Sequence, residues 1–151
     1  MKRLFNAKGL NNENPKVNTA LIWLLCGWSV MAASLVHANS VTVNVQNATP
    51  EVLLLVSSYP PGHFPMSIAP GQTAPVSFDI GGTSSEVTAT YRRARAGTAC
   101  RFSASHVVHV SGPRFNKSAV STGTTSATCL TFQSPTWRIP YNYTATFAFY
   151  H

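Results

Sequence analysis

The chain has 151 residues, a formal net charge of +7, only 10% charged residues and three cysteines. That length holds one domain at most, and neither a fixed-period repeat nor a low-complexity tract divides it. Four of the basic residues (Lys2, Arg3, Lys8, Lys16) and one acid (Glu13) precede residue 39, so the remainder carries seven basic and three acidic residues, a net of +4. A domain so mildly basic and so poor in charge is not built as a dedicated polyanion binder.

The N-terminal residues are polar and basic, and an apolar run follows from Ala20 to Val36, closed by Val36-His37-Ala38. A basic start, an apolar middle and a small-residue end predict a secretory signal over residues 1–38, cleaved to leave residues 39–151 as a single β-sandwich domain, secreted or periplasmic. The alternative is a membrane anchor formed by residues 20–36, at the lower edge of the length that spans a bilayer. A lipidated Cys26 is disfavoured because Trp-Leu-Leu precedes it. With Cys26 removed, Cys100 and Cys129 remain, and an even pair in an oxidising compartment predicts one disulfide. Its loop encloses 28 residues, worth roughly 3–4 kcal/mol through the restricted unfolded chain.

Beyond residue 39, apolar residues alternate or come in short runs, and Gly, Pro, Asn or Ser interrupts them about every ten residues. This pattern predicts an all-β fold, an antiparallel β-sandwich of about seven or eight strands. Val41, Val43 and Val45 alternate with Thr42, Asn44 and Gln46 in a first strand, which Asn47-Ala48-Thr49-Pro50 turns. The unbroken run from Val52 to Val56 predicts a central strand covered on both faces. Pro60, Pro61, Pro65 and Pro70 are too many prolines for a central strand, so residues 57–70 read as a surface excursion with a short edge strand around Met66-Ser67-Ile68.

After the Pro70-Gly71 turn, Val76, Phe78 and Ile80 form a third strand, closed by Gly81-Gly82. Val87, Ala89 and Tyr91 face inward in a fourth, with Thr88, Thr90 and Arg92 outside. The segment from Arg93 to Gly97 is a hairpin into a long strand from Ala99 to Val110. That strand puts Cys100, Phe102, Ala104, His106, Val108 and Val110 on its inner face. Residues 111–123 read as a polar loop leading to the strand around Cys129, and residues 133–142 as irregular. Tyr143, Ala145, Phe147 and Phe149 form the inner face of the last strand.

His106 and His109 have the spacing of a metal pair on a helix, but on a strand they face opposite ways. His63 could meet His109 only across the surface, and no ligand spacing supports that pairing. Serines are plentiful, yet there is no G-x-S-x-G elbow, and Asp79 is the one aspartate after residue 38. Glu51, Asp79 and Glu86 fall at strand ends, where solvated acids are expected. With no phosphate-binding loop and no Cys/His cluster, neither catalysis nor a cofactor is expected. Arg92, Arg93, Arg95 and Arg101 gather at one hairpin, either as an anion contact or as a solvated tip that discourages edge pairing. No aromatic stacking platform accompanies them, so nucleic acid is not the expected partner. Tyr59, His63 and Phe64 place aromatic groups on the proline-stiffened loop, either exposed for contact or folded back on the sandwich.

The ending A-T-F-A-F-Y-H, with Tyr150 penultimate, resembles the C-terminus of pilins assembled by the chaperone–usher route, which implies a missing strand and assembly through the C-terminal one. It departs from those pilins in carrying both cysteines in the second half of the domain. N-A-T-P, I-A-P-G-Q-T and T-A-T-Y-R look like turn sequences of secreted sandwich families, thaumatin-like and aegerolysin-like among them, and carry no functional residue. The expected role is an exported non-catalytic binding or surface-assembly module whose partner is a protein, a glycan or a membrane surface. The alternatives are a pilin-like subunit, a membrane-active protein and, last, a secreted hydrolase.

Overall fold

A computed structural model describes residues 38–151. The signal segment, the alternative anchor and Cys26 lie outside the described residues. The alternating apolar residues produce nine strands and no helix among the described residues: β1 (Ala38–Asn47), β2 (Leu53–Tyr59), β3 (Ser67–Ile68), β4 (Thr73–Gly81), β5 (Ser84–Arg93), β6 (Ala99–His109), β7 (Gly112–Ser121), β8 (Thr128–Pro135) and β9 (Tyr143–Tyr150). They make two sheets, sheet A in the order β4-β1-β9-β8 and sheet B in the order β3-β2-β5-β6-β7.

Every pairing is antiparallel but one: β1 runs parallel to β9 along Val41–Asn47 and Tyr143–Phe149. A hairpin cannot join parallel neighbours, and none is needed here, because the rest of the domain lies between these two strands. With β8 on its other side, β9 is paired along both edges. Its inner residues Tyr143, Ala145, Phe147 and Phe149 are buried, while on the outer face Ala148 is covered and Thr144 is exposed.

The sheets bury Val41, Val43, Val45, Phe147 and Phe149 against Leu53, Val87, Tyr91 and Phe102. Phe102 stacks on Phe147 with ring centroids 5.2 Å apart. Cys100 on β6 and Cys129 on β8 form the predicted disulfide, with Cα atoms 5.8 Å apart, so the bond staples sheet B to sheet A. On the same side, Thr131 Oγ1 donates to the Ser118 carbonyl at 2.9 Å, joining the edge strands β8 and β7.

Four expectations are corrected. The run from Val52 to Val56 is not covered on both faces: a bulge interrupts its register between Leu55 and Ser57, and Val56 is 56% exposed. Among the described residues its outer neighbour is the two-residue β3, too short to shield it. Residues 112–121, read as loop, are strand β7, hydrogen-bonded to β6 from Cys100↔Ser121 to His109↔Gly112. An edge strand needs little apolar alternation, and only Phe115 and Ala119 of β7 pack on the core. Val110 lies beyond the end of β6 and is fully exposed, not inward.

Phe64, offered as a loop contact or as part of a folded-back loop, is no contact residue: it is 4% exposed and packs on Phe78 with centroids 5.4 Å apart. The proline-rich loop folds back over the open side of the sandwich. Tyr91 Oη donates to the Pro65 carbonyl at 2.9 Å and the Leu55 amide to the Met66 carbonyl at 2.9 Å. Replacing a buried phenylalanine leaves a cavity that rigid strands cannot fill. Phe64→Ala should therefore cost about 3 kcal/mol in urea denaturation, whereas Met66→Ala, on an exposed side chain, should change stability by less than about 0.5 kcal/mol.

Candidate functional site

β2 stops at Tyr59 because Pro60 and Pro61 follow, and proline has no amide to give to a ladder. Tyr59 lies opposite Thr88, yet β5 begins four residues earlier, at Ser84. On the β2 side, no strand among the described residues lies beside residues 84–87. A cavity of about 460 Å³ occupies this end, lined by Tyr59, Pro60, Ile80, Ser84, Ser85, Glu86, Ser105 and Val107.

Beneath it runs a buried polar chain. His106 is fully buried and Ser85 is 5% exposed. Ser85 Oγ lies 2.6 Å from His106 Nδ1 and 3.2 Å from Tyr143 Oη, and Tyr143 Oη donates to the Ala104 carbonyl at 3.2 Å. The donors close in one direction. Tyr143 gives its proton to the carbonyl, Ser85 gives its proton to Tyr143, and His106 must then carry its proton on Nδ1 and donate to Ser85. Nε2 is left as a bare acceptor without a partner. Phe115 stacks on the imidazole and Tyr143 meets it edge-on. Burial lowers the His106 pKa, and burial likewise raises that of Tyr143, partly offset by the Ser85 hydrogen bond.

The arrangement has the membership of a Ser–His pair but the reverse proton direction. A base must accept the serine proton, whereas here the imidazole donates to Ser85. Asp79, the acid considered for a triad, is exposed on β4 opposite Ser40, on the outer face of sheet A. Among the described residues no three His, Cys, Asp or Glu side chains converge as a metal site.

The arginine cluster divides. Arg93 turns inward and pairs with Glu51, whose second oxygen accepts the Arg95 amide at 3.1 Å. That amide and the Arg93 guanidinium lower the Glu51 pKa, so this acid is not the solvated one expected at a strand end. Arg92, Arg95 and Arg101 stay exposed. Arg92 and Arg101 sit on the outer face of sheet B, opposite Ala99 and Thr90. Of the loop aromatics, Tyr59 is exposed at the cavity, His63 is exposed but lies 5.2 Å from the Phe78 ring, and Phe64 is core. His109 is exposed at the end of β6. Asn47, in the sequon Asn47-Ala48-Thr49, is fully buried, and its amide donates to the Glu51 and Ile68 carbonyls, so it cannot carry a glycan in the folded domain.

The Ser85–His106–Tyr143 chain was missed by sequence reasoning. The signal available was the hairpin register: once Arg92 opposes Ala99, the ladder places Ser85 opposite His106. Exposed apolar groups that went unremarked also appear on and after β8, at Leu130, Phe132, Trp137 and Ile139. The chain matches no protein-family model and no curated protein.

The depressed His106 pKa has a stability consequence. The unfolded chain takes up a proton at the ordinary value of 6.5, which the folded domain resists. Stability is therefore full above that pH and declines as pH falls below it. Glu51 acts in a separate window, its contribution being lost below its ordinary value of 4.5. The urea midpoint should drop between pH 6.5 and about 5, and His106→Gln should flatten that limb while leaving the Glu51 limb in place.

Proposed function

We propose that this chain is an exported, non-catalytic binding or surface-assembly module that takes its ligand at the open end of β5. The observation that carries the reading is the cavity of about 460 Å³, in which an exposed tyrosine, three serines and a carboxylate without an ion-pair partner among the described residues converge at the end of β5, whose β2 side has no strand among those residues. Pockets of this size with a few convergent polar groups are where ligands bind. The interface is local, needs no metal or cofactor, and leaves Ser85 and His106 a structural role beneath it. Export is supported by the signal-like N-terminus and by a disulfide that stays closed only in an oxidising compartment. Assembly through β9 is a less direct route, since β1 would first have to leave that strand.

One observation favours a membrane surface as a second reading. Trp137 and Ile139 are 66% and 56% exposed on either side of Arg138, an amphipathic tip of the kind that seats in a lipid headgroup region. Liposome flotation with anionic vesicles would reveal it through a loss in Trp137→Ala.

The primary reading is tested in cells and with a serine-directed fluorophosphonate. The protein should be recovered from the exported fraction with Cys100 and Cys129 resistant to alkylation until reduced, and Ser85 should remain unlabelled. Labelling at Ser85 that is lost in His106→Gln would establish catalysis instead, and free thiols in the native location would end the export account.

A further inference from the structure

The open end of β5 is a main-chain edge, and its polarity can be read from the ladder. Along a strand, the amide and carbonyl of one residue point to one neighbour and those of the next residue to the other. The Thr83 carbonyl accepts from the Val108 amide and the Arg93 amide donates to the Thr98 carbonyl, both on the β6 side. The Ala94 amide donates to the Val52 carbonyl on the β2 side. The β5–β6 register is unbroken from Ser84 to Arg92, so odd residues face β6 and even residues face β2 throughout. Thr88 is met by Tyr59. The next two even residues, Glu86 and Ser84, direct their amides and carbonyls into the cavity, with no strand opposite among the described residues.

We infer that the cavity is a β-augmentation slot: an extended peptide segment with a lysine or arginine opposite Glu86 adds to sheet B beside Ser84–Val87, in line with β2. This rests on the binding-module reading and names its partner. Two amides and two carbonyls supply four main-chain hydrogen bonds, the recognition chemistry of strand addition. Side-chain selection follows from the pleat. The residue opposite Glu86 projects on the same outer face as its carboxylate, where a directly opposed pair of opposite charge is favoured. The carboxylate has no ion-pair partner among the described residues, and its register neighbours across β6 and β7 are the neutral Ser105 and Asn116. The residue opposite Ser85 projects inward, where Ile80 lines the cavity, and should be apolar. A third residue, opposite Ser84, projects to the outer side, with the small Ser84 side chain between it and Val107. Tyr59 and Pro60 close the end at which β2 leaves off.

The test uses the full-length chain and the tetrapeptide acetyl-Val-Lys-Ile-Thr-amide, whose residues fall opposite Val87, Glu86, Ser85 and Ser84, with two controls: the same peptide with glutamate for lysine, and the lysine peptide with N-methylated backbone amides. Hydrogen exchange and fluorescence anisotropy are the readouts. The lysine peptide should slow exchange at the Ser84 and Glu86 amides, bind at least tenfold more tightly than the glutamate peptide, and lose binding on N-methylation. Glu86→Lys should reverse the charge preference. Equal binding of the N-methylated peptide would overturn strand addition and leave a side-chain pocket, in which case the broader binding reading stands. Amides of Ser84 and Glu86 already protected without peptide would overturn the proposal in favour of upstream residues of the same chain filling the slot. No protection by any peptide would overturn it too, with the export and Ser85-labelling results deciding the broader reading separately.

Discussion

The absence of an amide hydrogen in proline decides where sheet B ends. Pro60 and Pro61 cannot extend the ladder that β2 makes with β5, so β2 stops opposite Thr88 while β5 continues to Ser84. The same prolines send the chain across the open side of the sandwich. There Phe64 drops onto Phe78, and Tyr91 holds the Pro65 carbonyl. A single proline-rich segment therefore seals one flank of the core and leaves one strand end bare, and the cavity exists because both happen together.

The opposite flank is closed by different means. The loop after β7 lies backbone against backbone on the β5–β6 hairpin, with the Thr124 amide donating to the Gly97 carbonyl at 2.8 Å. A Cβ at Gly123 would collide with that same carbonyl, so this approach requires glycine. The loop delivers Cys129 to Cys100, and the covalent bond then fixes the separation of the sheets where β7 and β8 meet. Side-chain packing on one flank and a disulfide on the other leave the ends of the sandwich as the places where backbone is free.

What the sequence made legible was set by period-two alternation. Val41 to Val45, Val87 to Tyr91, Cys100 to His106 and Tyr143 to Phe149 all face inward as their alternation predicts, because each strand has one face on the core. The disulfide was legible too, since only two cysteines follow the signal-like segment. What failed were features that depend on neighbours. β7 hides in a polar stretch because an edge strand is stabilised by its ladder to β6 and not by burial. The run from Val52 to Val56 looked doubly buried because sequence does not record that its outer neighbour has two residues. Phe64 was left open between an exposed contact and a folded-back loop, and Arg93 was read as a surface group since charged residues in turns usually are. Their partners, Phe78 and Glu51, lie 14 and 42 residues away in sequence. The cavity was invisible for the same reason: it is a missing neighbour, and no residue pattern encodes one.

The buried polar chain now has a physical reason to lie where it does. A strand end paired along one edge only opens more readily than one paired along both, because its free edge bonds to water. Ser85 is the inward residue of that end, and its hydroxyl is tied to His106 on β6 and Tyr143 on β9, one contact in each sheet. Those bonds add to the β6 ladder in holding Ser84–Glu86 extended, with no strand on the β2 side among the described residues. A partner that binds there need not supply the ordering entropy itself, since the edge is set before it arrives. The unpartnered His106 Nε2 is a cost of this arrangement, about 1–3 kcal/mol for a buried group left without a hydrogen-bond partner. On the proposed reading, the Ser–His contact is a fastening that braces the open edge of β5 between the two sheets.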